Sequence, residues 1–289
     1  MKKGKFNKWL IGVDLDGTLL DNNDELTQKN IDIVRRLSHD GHIVSIITGR
    51  PFRSSKHIYR QLGLNTIMAN HNGAIIHNPK DPGFISNQTG ISRKIISDIT
   101  GEKGFHNNVE NFAVETSKKL YILKHDKWLE DFFFIEGELQ VEISDSFDQC
   151  AAKMEVDPYS MLVLMKSNVS SEDMSRYILN LKNKYGNSIM LRSWQHPNVK
   201  NQIVLEINPV STDKGHALRK IRNYYNIHSH HTIVFGDGLN DVPMFDEAKH
   251  SIVMENANES IRFFASEMTY KDNHNSGVGD YLEKWFYGE

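Results

Sequence analysis

Three times along this chain a short apolar run ends abruptly in small and acidic residues. Trp9, Leu10, Ile11 and Val13 lead into Asp14, Leu15, Asp16, Gly17 and Thr18. Ile43 to Ile47 leads into Thr48-Gly49-Arg50, and Thr232 to Phe235 into Gly236-Asp237-Gly238-Leu239-Asn240-Asp241. Runs this short, β-branched and aliphatic, predict buried strands. Between the first two, Thr27 is placed to cap a helix that carries Ile31, Val34 and Leu37 on one face, with Gly41 in the C′ position. This is a strand–helix–strand unit, and crossovers of that kind are almost always right-handed. A second helix is expected over Arg53 to Leu62, stopped by Gly63, and a third strand over Thr66 to Ala69. Asn72-Gly73 between that strand and Ala74 to His77 is a hairpin signal.

Pro79 to Gly83 breaks the pattern, and the texture then changes. Helices are expected over Ile91 to Gly101, Trp128 to Ile135 and Ser171 to Tyr185. Strands are expected over Phe112 to Glu115, Leu120 to Leu123, Met161 to Met165, Ile189 to Leu191 and Ile203 to Ile207. Asn208-Pro209 marks a second boundary. Strand–helix alternation then returns: a helix over Asp213 to Tyr225, the strand Thr232 to Phe235 and a short helix after Asp241. A strand near Ser251 to Val253, a helix near Ser260 to Ala265 and a final helix over Val278 to Phe286 follow. The predicted architecture is α/β: a doubly wound parallel-sheet, Rossmann-like core formed by 1–82 and 209–289, interrupted by an α+β domain over 83–208. That insertion carries no D-x-D or glycine-rich cluster of its own. Tethered at two hinges, it is expected to act as a mobile cap that closes on the organic part of a substrate.

The chain has 289 residues, 39% hydrophobic and 25% charged, which is ordinary globular composition. A net charge of -3 gives no electrostatic case for nucleic acid or an acidic membrane surface. No window approaches the ~20 apolar residues of a spanning helix. The basic Met1 to Lys8 is followed by an apolar stretch too short for a signal h-region. A cytoplasmic protein fits these features, and a monomer is compatible with them. Cys150 is the only cysteine, so an intrachain disulfide and a cysteine-based zinc site are both excluded. Three glycosylation-type triplets, at Asn87, Asn168 and Asn258, carry no weight without a secretion signal.

The chemistry is expected where the three runs end. Taken singly, D-x-D-G is equally a turn. If the three runs are neighbouring parallel strands, however, Asp14, Asp16, Thr48, Asp237, Asn240 and Asp241 share one crevice at the carboxyl edge, where open sheets bind ligands. Carboxylates crowded together need a cation. The donors are all oxygens, which selects a hard ion, Mg²⁺ first. Asp241 is equally placed to cap the helix that follows. Lys214 opens a predicted helix, where a cation opposes the dipole and Gly215 costs stability. A lysine aimed at phosphate would explain both. Phosphoryl transfer is largely positioning and charge neutralisation. Thr48 offers a hydroxyl and Gly49 an open N–H. Asp14 could attack phosphorus, and Asp16 could first protonate the leaving oxygen and then activate water.

DLDGT at Asp14, TGR at Thr48, Lys214-Gly215 and GDGLND at Gly236 together resemble the haloacid dehalogenase-like hydrolase superfamily. The insertion after Asn72-Gly73-Ala74 resembles its Cof-type subfamily with a type IIB cap. The resemblance spans essentially the whole chain with no departure at these positions. It implies Asp14 as nucleophile and Mg²⁺ ligand, Asp16 as acid/base and ligand through its carbonyl, and Asp237 as the further ligand. It implies phosphate contacts from the Leu15 backbone, Thr48, Gly49, Lys214 and Asn240, with Asn72 close to the substrate. Asp241 would support the site from behind, and Arg50 would orient it or pair with a carboxylate. The implied function is a Mg²⁺-dependent phosphatase of small phosphorylated metabolites such as sugar phosphates, working through an aspartyl phosphate. A phosphomutase on the same scaffold, or a non-catalytic sugar-phosphate-binding protein, are the alternatives. The role of His71 is open, and the cluster His228, His230 and His231 reads as an exposed loop rather than a metal site.

Overall fold

The structure is a computed structural model that describes residues 8–133, 139–144, 146–210 and 212–288. In chain order it opens with β1 (Leu10–Val13), α1 (Gln28–His39), β2 (Ile43–Ile46), α2 (Phe52–Gln61), β3 (Met68–Asn70), β4 (Ile75–His77) and β5 (Asn87–Gln88). The inserted segment holds α3 (Arg93–Thr100), α4 (Lys103–Asn108), β6 (Val109–Glu115), β7 (Lys119–Ile122), α5 (Lys127–Phe132), β8 (Gln140–Ile143) and α6 (Phe147–Lys153). It continues with β9 (Ser160–Met165), α7 (Ser171–Tyr185), β10 (Ile189–Gln195) and β11 (Ile203–Pro209). The chain closes with α8 (Lys214–Tyr224), β12 (Thr232–Gly236), α9 (Val242–Glu247), β13 (His250–Val253), α10 (Glu259–Arg262), β14 (Glu267–Met268) and α11 (Gly277–Tyr287).

Two compact units result, one formed by Met1–Asn87 with Thr212–Glu289 and the other by Gln88–Ser211. In the first, five parallel strands run in the order β14-β13-β12-β1-β2. A parallel bridge between Ile47 and Ala69 carries the sheet on to β3. Among core strands this is the doubly wound order, with β1 flanked by its second and fourth members, so the switch point lies between β1 and β12. Every residue of β1, β2 and β12 is buried, as expected of strands covered on both faces. Register then fixes the site. Val13 lies opposite both Phe235 and Ile46, so Asp14, Gly236 and Ile47 leave the sheet at one level.

Helix signals were legible and boundaries less so. Thr27 caps α1 by accepting from the Asn30 N–H, and Gly41 follows in the left-handed region at φ 90°. Asn72-Gly73 does turn β3 back onto antiparallel β4. The inserted unit is a six-stranded mixed sheet, β10-β11-β9-β6-β7-β8, with only β7–β8 parallel. Helices α3, α6 and α7 pack Ile96, Ile99, Cys150 and Leu181 into one apolar cluster, while Leu129 of α5 joins a second. Burial pushes the Cys150 thiol up to about 12, consistent with an inert packing residue. Helix α5 ends at Phe132, short of the expected Ile135; Phe134 and Ile135 lie outside the described residues. The strand β11 runs through Asn208 and Pro209, paired with Met190 and Ile189. Proline is tolerated there because β9 pairs only as far as Ile207. Among the described residues no helix is long and apolar enough to cross a membrane.

One buried side chain ties the first turn to the last helix. Asn30 Nδ2 donates to the Leu19 carbonyl at 2.8 Å, and its Oδ1 accepts from the Gly279 N–H at 2.9 Å. Removing it orphans two buried backbone groups at about 1–3 kcal/mol each. Asn30→Ala is therefore expected to lower unfolding stability by about that amount or more, measured by urea denaturation at constant m-value.

Candidate active site

Directly after β1 the backbone makes one wide turn over Leu15–Leu19, closed by the Leu20 N–H donating to the Leu15 carbonyl. Gly17 sits at φ 65° within it, and a Cβ there would stand 2.2 Å from an Asp237 carboxylate oxygen. Glycine is required both for the backbone and for the approach of the two loops. Three asparagines hold this turn by its carbonyls: Asn256 to Gly17 (2.8 Å), Asn30 to Leu19 (2.8 Å) and Asn273 to Leu20 (2.9 Å). Sequence reading passed over all three, because an asparagine in a loop looks the same whether it is solvated or anchoring.

The turn delivers Asp14 to a buried position facing Lys214. The ammonium is fully buried and lies 2.8 Å from Asp14 Oδ1 and 2.6 Å from Asp241 Oδ1. The Asp14 contact is an ion pair off hydrogen-bonding alignment, and Oδ1 has no hydrogen-bond donor. Asp241 spends its other oxygen on the N–H groups of Asp237 (3.0 Å) and Gly238 (2.9 Å). It makes no side-chain cap to α9, so its carboxylate braces the loop before the helix instead. Asp237 also accepts from the Thr18 hydroxyl at 3.4 Å. Gly215 has a packing reason: a Cβ there would stand 2.2 Å from the Pro243 carbonyl of α9.

Across the edge, the Thr48 hydroxyl is buried and accepts from the Arg50 N–H at 3.1 Å, while Gly49 is exposed. Arg50 is a buried guanidinium that grips Asp16. Its Nε donates to both carboxylate oxygens at 3.0 Å, and Nη2 donates to Asp16 and, at 2.8 Å, to Asp24. The alternative in which Arg50 pairs with a carboxylate is thus the observed one. The Asp16 carboxylate is half-exposed and turned toward Arg50 rather than into the buried acidic group. Asn240 donates to Asn72 Oδ1 at 3.1 Å, which joins the last loop to the hairpin tip. His71 is buried in that tip, its N–H donating to the Arg50 carbonyl at 3.3 Å. His228, His230 and His231 lie before β12, at the opposite end of the strands, and His231 packs its ring edge on Trp9.

Among the described residues, one acidic or histidine group could share a cation: Asp14, Asp237 and Asp241, whose ligand atoms all lie within 4.8 Å of one another. Burial raises the Asp14 pKa well above the usual range. Lys214 opposes that shift and loses, while Asp241 and Asp16 add to it. Burial, then Asp241, pushes Asp237 up to about 6. Lys214 is held protonated by Asp14 and Asp241 against its own burial. A buried, all-oxygen, proton-hungry cluster with an undonated Asp14 oxygen fits a hard divalent ion.

A protein-family model for the haloacid dehalogenase-like hydrolases matches residues 11–282 of the chain. The chain belongs to the haloacid dehalogenase-like hydrolase family. It is 31% identical over 286 residues, 98% of each chain, to a putative phosphatase in the upp 3′ region of Metamycoplasma hominis. It is 30% identical over 278 residues to the 5-amino-6-(5-phospho-D-ribitylamino)uracil phosphatase YitU of Bacillus subtilis strain 168, covering 96% of this chain and 97% of YitU. The fold of the subclass IIB sugar phosphatase BT4131 superposes with a TM-score of 0.73 at 15% identity, over 96% of this chain and 99% of that one. The hydrolase shares its fold with that subclass IIB phosphatase, in line with the resemblance its motifs carry.

The acidic cluster sets a sign for pH. Asp237 binds its proton more tightly folded than unfolded, so its ionisation opposes folding and stability falls as pH rises from about 4 through about 6. With a chelator present, the melting temperature is expected to rise as pH is lowered from 7 toward 5, and Asp237→Asn should flatten that rise. Saturating Mg²⁺ should flatten it too, by binding the ionised form.

Proposed function

We propose that this hydrolase is a Mg²⁺-dependent phosphatase of small phosphorylated metabolites, working through an aspartyl phosphate. The observation that carries the reading is the buried Asp14 at the switch point, facing Lys214 and within reach of Asp237. Asp14 and Asp237, with the Asp16 carbonyl, would hold the ion, and the ion would neutralise the phosphoryl oxygens and return Asp14 to its ionised form. One Asp14 carboxylate oxygen then attacks phosphorus. The bond to the leaving oxygen breaks, and that oxygen takes a proton from Asp16. In the second half, water attacks the same phosphorus, Asp16 accepts the water's proton, and inorganic phosphate and free Asp14 result.

The remaining residues position the group. Thr48, Gly49, Lys214 and Asn240 would supply donors to the phosphoryl oxygens, together with the Leu15 N–H. For Asp16 to reach the leaving oxygen, its carboxylate would have to loosen the ion pair with Arg50. The names of the relatives support a phosphorylated small molecule as substrate, and among the described residues the inserted unit carries no acidic cluster that would compete for the ion.

The test is phosphate release over a panel of phosphorylated metabolites and p-nitrophenyl phosphate. Activity is expected to need Mg²⁺, to vanish with a chelator and to return on adding the ion back. Asp14→Asn is expected to abolish turnover while leaving the melting temperature in Mg²⁺-free buffer no lower than the parent's. Asp16→Asn should cost about 10²–10⁴-fold in turnover of poor leaving groups and far less in single-turnover phosphorylation by good ones. Equal losses for both would remove Asp16 from the acid role, and an isomeric phosphate ester in place of inorganic phosphate would mark a mutase.

A further inference from the structure

The hairpin tip Asn70–Gly73 touches three of the four motif loops, though it contains none of the motifs. Its backbone is unusual: His71, Asn72 and Gly73 lie in succession at φ 49°, 52° and 99°. Side chains seldom adopt that region, and asparagine is among the few that do. The conformation is held by bonds to the Thr48–Arg50 loop. The Asn72 N–H donates to the Thr48 carbonyl at 3.0 Å, and the His71 N–H to the Arg50 carbonyl. Asn70, fully buried, donates to that same Arg50 carbonyl at 2.8 Å and to the Ser55 hydroxyl at 3.0 Å. Its Oδ1 meets His77 Nε2 at 2.9 Å. Burial pushes the His77 pKa down to about 4, so the ring is neutral and donates here.

The tip also reaches the other two loops. A Cβ on Gly73 would stand 2.8 Å from the Asp213 carbonyl, at the residue that caps α8 and precedes Lys214. The Asn72 side chain lies over Gly49, its Oδ1 3.4 Å from where a Cβ would be, and that oxygen accepts from Asn240 Nδ2. Hydrogen bonding to Oδ1 fixes the orientation of the Asn240 carboxamide, with Nδ2 facing Asn72 and Oδ1 turned toward Gly238. An asparagine without that tether would rotate about its terminal torsion, which is broad and nearly two-fold.

We propose that Asn72 is a positioning residue: it acts through Asn240, locking the orientation of that carboxamide, and does not itself hold the phosphoryl group. The inference rests on the phosphatase reading above for the role of Asn240. It differs from the expectation of direct substrate contact, because the Asn72 oxygen is already committed to Asn240.

The test is Asn72→Gly, alone and combined with Asn240→Ala. Glycine keeps the left-handed backbone without strain, so the tip is preserved while its side chain is lost. Asn72→Gly is expected to lower kcat/KM about 10–100-fold, the scale of a small misplacement in a site. In the Asn240→Ala background the same change should cost nothing further. Losses that multiply would mean that Asn72 contacts the substrate itself and would overturn the proposal, as would unchanged kinetics in the single variant. A second readout does not depend on turnover. In the amide NMR spectrum the two Asn240 side-chain protons should collapse toward free-amide positions in Asn72→Gly. If they stay put, the tether is refuted. A parent that hydrolyses nothing on the panel refutes the phosphatase reading and leaves this spectrum to decide the tether.

Discussion

Everything at the carboxyl edge of this sheet depends on one ammonium group buried between two carboxylates. Lys214 has no solvent exposure and meets Asp14 and Asp241 at 2.8 and 2.6 Å. An unpaired charge at such depth would be prohibitive. The contact therefore dictates position. β1 must end at Asp14, α8 must begin at Lys214, and Asp241 must turn back from α9 to meet it. Helix α8 tolerates a cation in its first turn because the two carboxylates, and the Asp213 cap, outweigh the dipole. The local rule that Lys214 breaks is compensated within a few ångströms.

The balance is incomplete by design of the residues. Three carboxylates, Asp14, Asp237 and Asp241, converge, and Lys214 meets two of them. Burial outweighs the lysine at Asp14, with Asp241 and Asp16 adding to the rise, and burial followed by Asp241 makes Asp237 hold its proton. A site tuned only for folding would replace one carboxylate with an amide. Retaining all three costs stability at neutral pH, and the three ligand atoms lie close enough together to share one cation.

Much of this was legible in the sequence because it is local. Strand runs ending in DLDGT, TGR and GDGLND fix which residues leave the sheet together, and continuous apolar runs with capped helices fix the core. What was not legible depends on a partner distant in the chain. The orientation of Asp16 is set by Arg50, whose guanidinium is shared with Asp24 at the left-handed position of the following loop. Gly215 looked like a functional irregularity and proved to be the space needed by the Pro243 carbonyl. In the inserted unit, β8 (QVEI) was missed because its burial is intermediate and it pairs parallel to β7 at the sheet edge. Pro209 looked like a boundary, yet it closes a strand whose neighbour on one side has already ended.

The anchoring asparagines explain how a turn this irregular holds Asp14 in one place. After β1 the chain leaves regular structure for one wide turn, and its carbonyls at Gly17, Leu19 and Leu20 would be orphaned or solvated. Asn256, Asn30 and Asn273 satisfy them from the loop after β13, from α1 and from the loop before α11. Carboxamides suit this task better than charged groups, since each can donate to a carbonyl and accept from an N–H without adding to an already acidic site. Asn30 and Asn256 do both: Asn30 Oδ1 accepts from the Gly279 N–H of α11, and Asn256 Oδ1 accepts from the Asn273 N–H. The hairpin tip repeats the device with Asn70 and Asn72. Neutral hydrogen bonds fix the geometry without adding charge beside Asp14, Asp237 and Lys214.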